Sequence, residues 1–261
     1  MASRPFSTYI QLPPGPLESA LLQQVLHLIL TEFRWFEPRR FGHADMEYPI
    51  PTGTLELAPL LAYYEKKKGR HLFVGARTNR DYVCFFPSGS NDLPYVSYFS
   101  WTTSLADTAR TAWRQRHLEQ VAALMRLVRS PLATAATEDD WDRKTQYEVQ
   151  KEHSSHQEFT IRDYSEGLPG LFWRTFLGPP FVRLFGERLD SLPPGRAQHL
   201  GDDLVLIQPY ELPTQAGSLE ADAYERELIS VLGPECFYDH ERRQKPTRRP
   251  VLDEVTSSRK A

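Results

Sequence analysis

The sequence predicts an α+β fold in which mostly antiparallel sheets are flanked by helices. Two aromatic and β-branched runs, residues 71–77 and 81–86, flank a short polar turn, as in a hairpin. Phe159 and Ile161 alternate with polar neighbours, which is the period of a half-buried strand. Apolar residues recur at helical spacing within residues 104–129. The order helix, strands, helix occurs twice, so the pattern allows two similar α/β halves.

The N-terminal half opens with a strand over residues 6–12, which a run of prolines ends. A helix over residues 17–36 follows, and its apolar residues cover more than half of its circumference, so it is predicted to be buried. Residues 37–54 lack a period and predict a loop, and residues 55–64 predict a short helix. After the hairpin come a strand at 95–101 and a helix to about residue 129. Ser104, with Asp107 three residues later, is its predicted cap.

The C-terminal half begins with an acidic segment predicted to be a loop. The segments that follow it are predicted as strands at 143–150 and 158–163, short helices at 171–177 and 181–189, a strand at 203–208, and a helix at 218–233. Ser218 is the predicted N-cap of that last helix. We expect one globular domain over residues 1–238, with possible halves 1–130 and 131–238, and a polar, basic, flexible tail over 239–261.

Composition excludes several classes of protein. Hydrophobic residues make up 40% of the 261 residues and charged residues 25%, which is typical of a folded chain. The net charge is −3, too balanced to indicate a nucleic-acid binder, although residues 1–238 carry −6 and the tail +3. Two cysteines and no signal peptide predict a cytoplasmic protein. Polar and charged residues interrupt the apolar stretch at 17–36, so no membrane span is expected.

The sharpest candidate for chemistry is the pair His153 and His156, beside Glu152 and Glu158, because imidazoles and carboxylates can hold a metal. This alternative would make the protein a metal-dependent hydrolase. The pair lies in a predicted hairpin turn and lacks the helical HExxH arrangement, which favours a solvated turn. The sequence contains no GxSxG, GxGxxG, GxxxxGK[ST] or CxxC motif. We therefore expect no catalytic residue, no metal and no cofactor, and a protein that works by binding.

Residues 166–178 resemble a segment of the bacterial type VI immunity proteins, which neutralise toxins exchanged between neighbouring cells. The shared features are a glycine turn and a Trp-x-Thr/Asn-Phe-x-Gly segment, supplied here by Gly167, Gly170, Trp173, Thr175, Phe176 and Gly178. The likeness extends over residues 160–235. It implies stoichiometric inhibition of a cognate toxin, without catalysis and without a cofactor.

The predicted partner-binding residues are those of the acidic segment, Glu138, Asp139, Asp140, Trp141 and Asp142. An acidic surface suits capture of a basic partner such as a nuclease toxin, because complementary charge speeds encounter. The alternatives are a solvated acidic loop and a magnesium site. The basic residues between Arg242 and Arg249 are a weaker candidate for contacting the phosphates of a nucleic acid.

Overall fold

The computed structural model describes residues 5–15, 17–53, 55–66, 71–87, 94–151, 154–201 and 203–252. The chain divides into two compact units, Met1–Ser130 and Pro131–Ala261. Within these described residues, each unit contains an antiparallel sheet and three α-helices, which confirms the predicted α+β class.

The first unit contains six strands that pair antiparallel in the order β1-β6-β5-β4-β2-β3. In chain order they are β1 (Pro5–Gln11), β2 (Arg40–Gly42), β3 (Tyr48–Pro49), β4 (Leu72–Gly75), β5 (Tyr82–Phe86) and β6 (Tyr98–Ser104). The predicted hairpin is confirmed as β4 and β5, with Val74 opposite Val83. The prediction of a loop at 37–54 is wrong at β2 and β3, because strands of two or three residues are too short to show a period.

The helices of the first unit are α1 (Ser19–His27), α2 (Ala58–Lys66) and α3 (Thr111–Val128). A π-helical turn, Leu28–Glu32, continues α1, and Val25 and Ile29 are fully buried, as the apolar pattern predicts. Ser104 does act as a cap, but of a short 3-10 helix, Leu105–Ala109, that precedes α3. None of the helices in the described part of the chain has the length and apolar content that a membrane crossing requires.

The second unit contains a four-stranded antiparallel sheet and a separate two-stranded hairpin. Its strands are β7 (Leu132–Thr137), β8 (Gln146–Lys151), β9 (Ser154–Phe159), β10 (Arg174–Leu177), β11 (Ala197–His199) and β12 (Val205–Ile207). The sheet order is β11-β12-β10-β7, and β8 pairs with β9 in a separate two-stranded sheet. The predicted second hairpin is therefore confirmed, with bounds shifted by a few residues.

The helices of the second unit are α4 (Glu138–Thr145), α5 (Pro179–Phe185) and α6 (Leu219–Leu232). Ser218 caps α6 as predicted, since its side chain accepts the Ala221 N–H at 3.1 Å. The prediction of an acidic loop at residues 138–142 is wrong. Thr137 caps α4 by accepting the Asp140 N–H at 3.3 Å, and acidic residues in a first turn stabilise the positive end of a helix.

Two further predictions for the second unit need correction. The prediction of a helix at residues 171–177 is wrong, because residues 174–177 form β10. This strand is buried on both faces and is too short for its residue pattern to distinguish it from a helix. Residues 239–252, predicted to be part of a flexible tail, fold back onto this unit instead. Asp239 and Gln244 exchange backbone hydrogen bonds of 2.9 and 3.1 Å, and Arg248 donates to the Leu184 carbonyl at 2.8 Å. Residues 253–261 lie outside the described residues.

Candidate functional site

Helix α4 carries all five residues of the predicted partner-binding set and divides them between two environments. Glu138, Asp139 and Asp142 are exposed, whereas Asp140 is 3% exposed. The division follows from helical geometry, because Glu138 and Asp142 are four residues apart and share a face, and Asp140 lies on the opposite side. The exposed carboxylates and the tryptophan beside them, Trp141, are called the α4 surface below.

Trp141 is half-buried and lies within the α4 surface. Its ring stacks on that of Phe172, with centroids 5.1 Å apart and planes 21° from parallel. A stacked tryptophan loses little further side-chain entropy on binding, and this makes it a suitable contact residue at an interface. The α4 surface therefore combines three negative charges with one fixed aromatic ring.

Asp140 belongs to a buried ion cluster that holds α4 in place. We define this cluster as Asp140, Lys144, Tyr210 and Glu225. Lys144 Nζ lies 3.2 Å from Asp140 Oδ1 and 2.7 Å from Glu225 Oε2. The Tyr210 hydroxyl donates to Asp140 Oδ2 at 3.2 Å, and Arg143 Nη2 donates to Asp140 Oδ1 at 2.7 Å. Both carboxylates are thus paired and hydrogen-bonded, which a buried charge requires.

The buried ion cluster also fixes the chain segment before β10. Glu225, on α6, accepts the Leu171 N–H through Oε1 at 2.9 Å, and Lys144 donates to the Leu171 carbonyl. Burial, together with the negative charges of Asp140 and Glu225, raises the pKa of Tyr210, so its hydroxyl keeps the proton that it donates. The cluster therefore joins α4, α6 and the Leu171 segment through charged hydrogen bonds.

Chemically, the buried ion cluster acts as a support. Lys144 and Asp140 are each 3% exposed, so a substrate phosphate or a partner side chain does not reach them in this conformation. Their i, i+4 spacing on α4 brings them together, and Glu225 completes the pairing from α6. The cluster thereby orients the exposed face of α4.

Glu166, at the start of residues 166–178, is a third buried carboxylate of this unit. Glu166 is 3% exposed and accepts the Arg162 N–H at 2.9 Å and Lys245 Nζ at 2.9 and 3.0 Å. Burial by itself would raise the pKa of Glu166, but these hydrogen bonds and those from the Arg162 side chain outweigh it and lower the pKa to about 2. Lys245, from the predicted tail, is therefore part of this anchor.

Gly167 is the glycine of this segment that makes the turn. Its φ is +116°, a conformation that residues with a Cβ rarely adopt. A Cβ at this position would lie 2.9 Å from the Cys236 carbonyl oxygen and 2.7 Å from the Pro246 ring. The glycine turn of the resemblance is thus required by the path of the backbone.

The structure places only half of the predicted histidine pair. His153 and Glu152 lie outside the described residues. His156 lies on β9, opposite Val149, and its Nε2 is 3.0 Å from Glu158 Oε1 at the protein surface. Within the described ranges, no three His, Cys, Asp or Glu side chains lie close enough together to hold a metal ion.

The basic stretch that ends at Arg249 is engaged with its own unit at several positions. Lys245 pairs with Glu166, and Arg248 pairs with Glu235 at 3.7 Å. The Arg243 guanidinium lies 5.1 Å from the centre of the Tyr147 ring. These contacts engage cationic side chains that the sequence analysis considers for phosphate binding.

The sequence alone does not assign three residues to the buried ion cluster, namely Lys144, Tyr210 and Glu225. The spacing of Asp140 and Lys144 is a usable signal once residues 138–145 are recognised as a helix. Tyr210 and Glu225 are distant in sequence and carry no local signal, because only the tertiary fold brings them to α4.

Comparisons with known proteins give a likeness of fold. No known protein family and no curated protein matches the chain. Among solved structures, the chain is similar to the Pseudomonas aeruginosa T6SS protein PA0821, with a TM-score of 0.57 and 16% sequence identity. The superposition covers 90% of this chain and 73% of that one. The two proteins therefore share a fold.

Proposed function

We propose that the protein is an immunity protein that binds and neutralises a cognate bacterial toxin in a stoichiometric complex, without catalysis. The observation that carries this proposal is the α4 surface, in which the exposed carboxylates of Glu138, Asp139 and Asp142 lie on the same helix as the fixed ring of Trp141. Such a surface suits a basic partner, since complementary charge accelerates association and discriminates against wrong partners.

The rigidity of α4 supports binding as its role. An interface made from residues that are already ordered loses less entropy on association than a flexible one. The buried ion cluster and the stacking of Trp141 on Phe172 provide this order. The helix that carries the exposed carboxylates is therefore held in place before the partner arrives.

Two likenesses support the type VI context of the proposal. Residues 166–178 resemble the type VI immunity proteins in their glycine turn and aromatic segment. Independently, the fold is similar to that of a Pseudomonas aeruginosa T6SS protein. Both point to a role in the exchange of toxins between bacteria.

The test takes a candidate toxin encoded beside the gene for this chain and measures its activity as it is titrated with the purified protein. We expect toxin activity to fall linearly and to reach zero at one equivalent, because a stoichiometric inhibitor acts one molecule at a time. Complete protection at a small fraction of an equivalent would indicate catalysis, and no protection at a large excess would refute the proposal.

The same titration tests the α4 surface. The triple variant Glu138→Gln, Asp139→Asn and Asp142→Asn should bind the toxin about tenfold or more weakly and with less dependence on salt. The matched control neutralises three exposed carboxylates elsewhere in the second unit, through Glu148→Gln, Glu220→Gln and Glu227→Gln. Equal affinities for the two triple variants would exclude the α4 surface as the binding site.

A further inference from the structure

The first unit contains a cleft of about 540 Å³ between the segment that follows α1, the β4–β5 turn and the start of α3. This volume lies in the range of sites that bind small ligands or the side chains of a partner. Tryptophan and arginine dominate its lining, and these residue types are enriched among the residues that contribute most to binding at interfaces.

Tryptophans form the floor of this cleft. Trp35 stacks on Trp101 with centroids 4.0 Å apart and planes 8° from parallel, and Trp113 lies 5.7 Å beyond. The Trp35 indole N–H donates to Gln120 Oε1 at 2.8 Å. Trp35 is half-buried, so the stacked pair presents a fixed, partly exposed aromatic surface.

The backbone that brings Trp35 to the cleft is unusual. The π-helical turn Leu28–Glu32 ends α1, and π-helical turns occur frequently at functional sites. Arg34 then has φ +51°, the left-handed conformation that is uncommon for residues with a Cβ. Both features directly precede Trp35, and Arg34 is exposed in the lining of the cleft.

The arginines of the cleft are only partly neutralised. Arg39 pairs with Glu37 at 2.8 Å, and Arg110 pairs with Asp107 at 2.7 Å. The remaining three, Arg34, Arg77 and Arg116, are exposed and have no carboxylate of the described residues within 4.0 Å. The cleft is therefore a cationic region on a chain whose net charge is −3.

A buried donor in the floor also lacks a partner. Trp101 is 4% exposed, and within the described residues its indole Nε1 has no hydrogen-bond acceptor. A buried N–H without an acceptor destabilises the protein, and such groups in native proteins are often associated with function. Because this N–H is enclosed by the protein, the three exposed arginines are the groups that select for an anion in the cleft.

We infer that this cleft binds an acidic segment of a partner protein, with carboxylates on Arg34, Arg77 and Arg116 and an apolar side chain on the Trp35 ring. The guanidinium fork matches a carboxylate in two parallel hydrogen bonds. Asp81 and Asp107 also line the cleft and would repel the dense charge of a polyphosphate or a nucleic acid. Separate carboxylates with apolar residues between them fit a lining that combines both charges with aromatic rings. The inference is independent of the α4 surface.

The test uses a short fluorescein-labelled peptide in which glutamates are interspersed with phenylalanines, and measures its binding to the full chain by fluorescence anisotropy. We expect saturable binding that weakens as salt rises from about 0.05 to 0.5 M. Combined Arg34→Glu, Arg77→Glu and Arg116→Glu substitutions should weaken binding about tenfold or more. Arg226→Glu, at an exposed position of α6, is the matched control and should leave the affinity unchanged.

The inference is overturned by no binding of the acidic peptide, by equal binding of a peptide with lysine in place of glutamate, or by equal affinity of the triple arginine variant. Tighter competition by tripolyphosphate or duplex DNA than by unlabelled acidic peptide also overturns it, because the cleft would then select phosphate. Circular dichroism of each variant verifies that the fold is retained.

Discussion

Replacing Lys144 by methionine is the sharpest test of whether the buried ion cluster holds α4 in place. The substitution removes the cation between Asp140 and Glu225 and keeps a side chain of similar length. Loss of one partner of a buried ion pair costs about 3–5 kcal/mol, because the remaining charge is left buried without compensation. Asp140 retains Arg143 and Tyr210, and Glu225 retains the Leu171 N–H, so we expect the lower end, about 3 kcal/mol.

The assay is urea unfolding, followed by tryptophan fluorescence. With a slope of about 2 kcal/mol per molar urea, the expected loss lowers the midpoint by about 1.5 M. Lys151→Met, at an exposed position of β8, is the control and should leave the midpoint within about 0.3 M of the unsubstituted protein. Equal midpoints for the two variants would refute the conclusion that Lys144 neutralises buried carboxylates.

A double-mutant cycle measures the interaction free energy between Lys144 and Glu225. Glu225→Gln removes one of the two negative charges that Lys144 contacts, and its amide oxygen remains able to accept the Leu171 N–H. Adding it to Lys144→Met should cost less than the sum of the single losses, by about 0.5–3 kcal/mol. Additive losses would mean that the two residues act separately.

Three further predictions concern the second unit. Because the pKa of Glu166 falls from 4.5 to about 2 on folding, its stabilisation of about 3 kcal/mol is complete above pH 4.5 and is lost towards pH 2. Glu166→Gln should therefore reduce the change in the free energy of unfolding between pH 4.5 and pH 2. A pH dependence equal to that of the unsubstituted protein, measured by urea unfolding, would contradict this assignment. Gly167→Ala should cost about 1–3 kcal/mol through its φ of +116° and its contact with the Cys236 carbonyl, and a neutral effect on the urea midpoint would exclude that strain. Ser218→Ala should cost about 1 kcal/mol by removing the cap of α6, measured in the same way, and Ser218→Gly should recover most of it.

The sequence predicts the fold class because much of the fold is built from local patterns. The β4–β5 hairpin shows two β-rich runs about a polar turn, and α6 shows a cap followed by an amphipathic stretch. The prediction fails where the local signal is ambiguous. Residues 174–177 are too few to show a helix or strand period, and only pairing with β7 and β12 selects the strand.

The candidate site is predictable only in part, because exposure depends on the tertiary fold. The sequence identifies the acidic density around Trp141, but it treats Asp140 as equivalent to its neighbours. In the structure Asp140 is buried because Lys144 and Tyr210 meet it from α4 and from a distant segment. Likewise, Trp35 and Trp101 are far apart in the sequence, and only folding stacks them.

The most direct test of the central claim is the ratio of two dissociation constants for the cognate toxin, measured by calorimetry. One belongs to the triple variant of Glu138, Asp139 and Asp142, and the other to the triple control variant that neutralises Glu148, Glu220 and Glu227. We predict one-to-one complexes for both and a ratio of about ten or more. A ratio near one would contradict the assignment of toxin binding to the α4 surface, and the absence of any complex would contradict the immunity function itself.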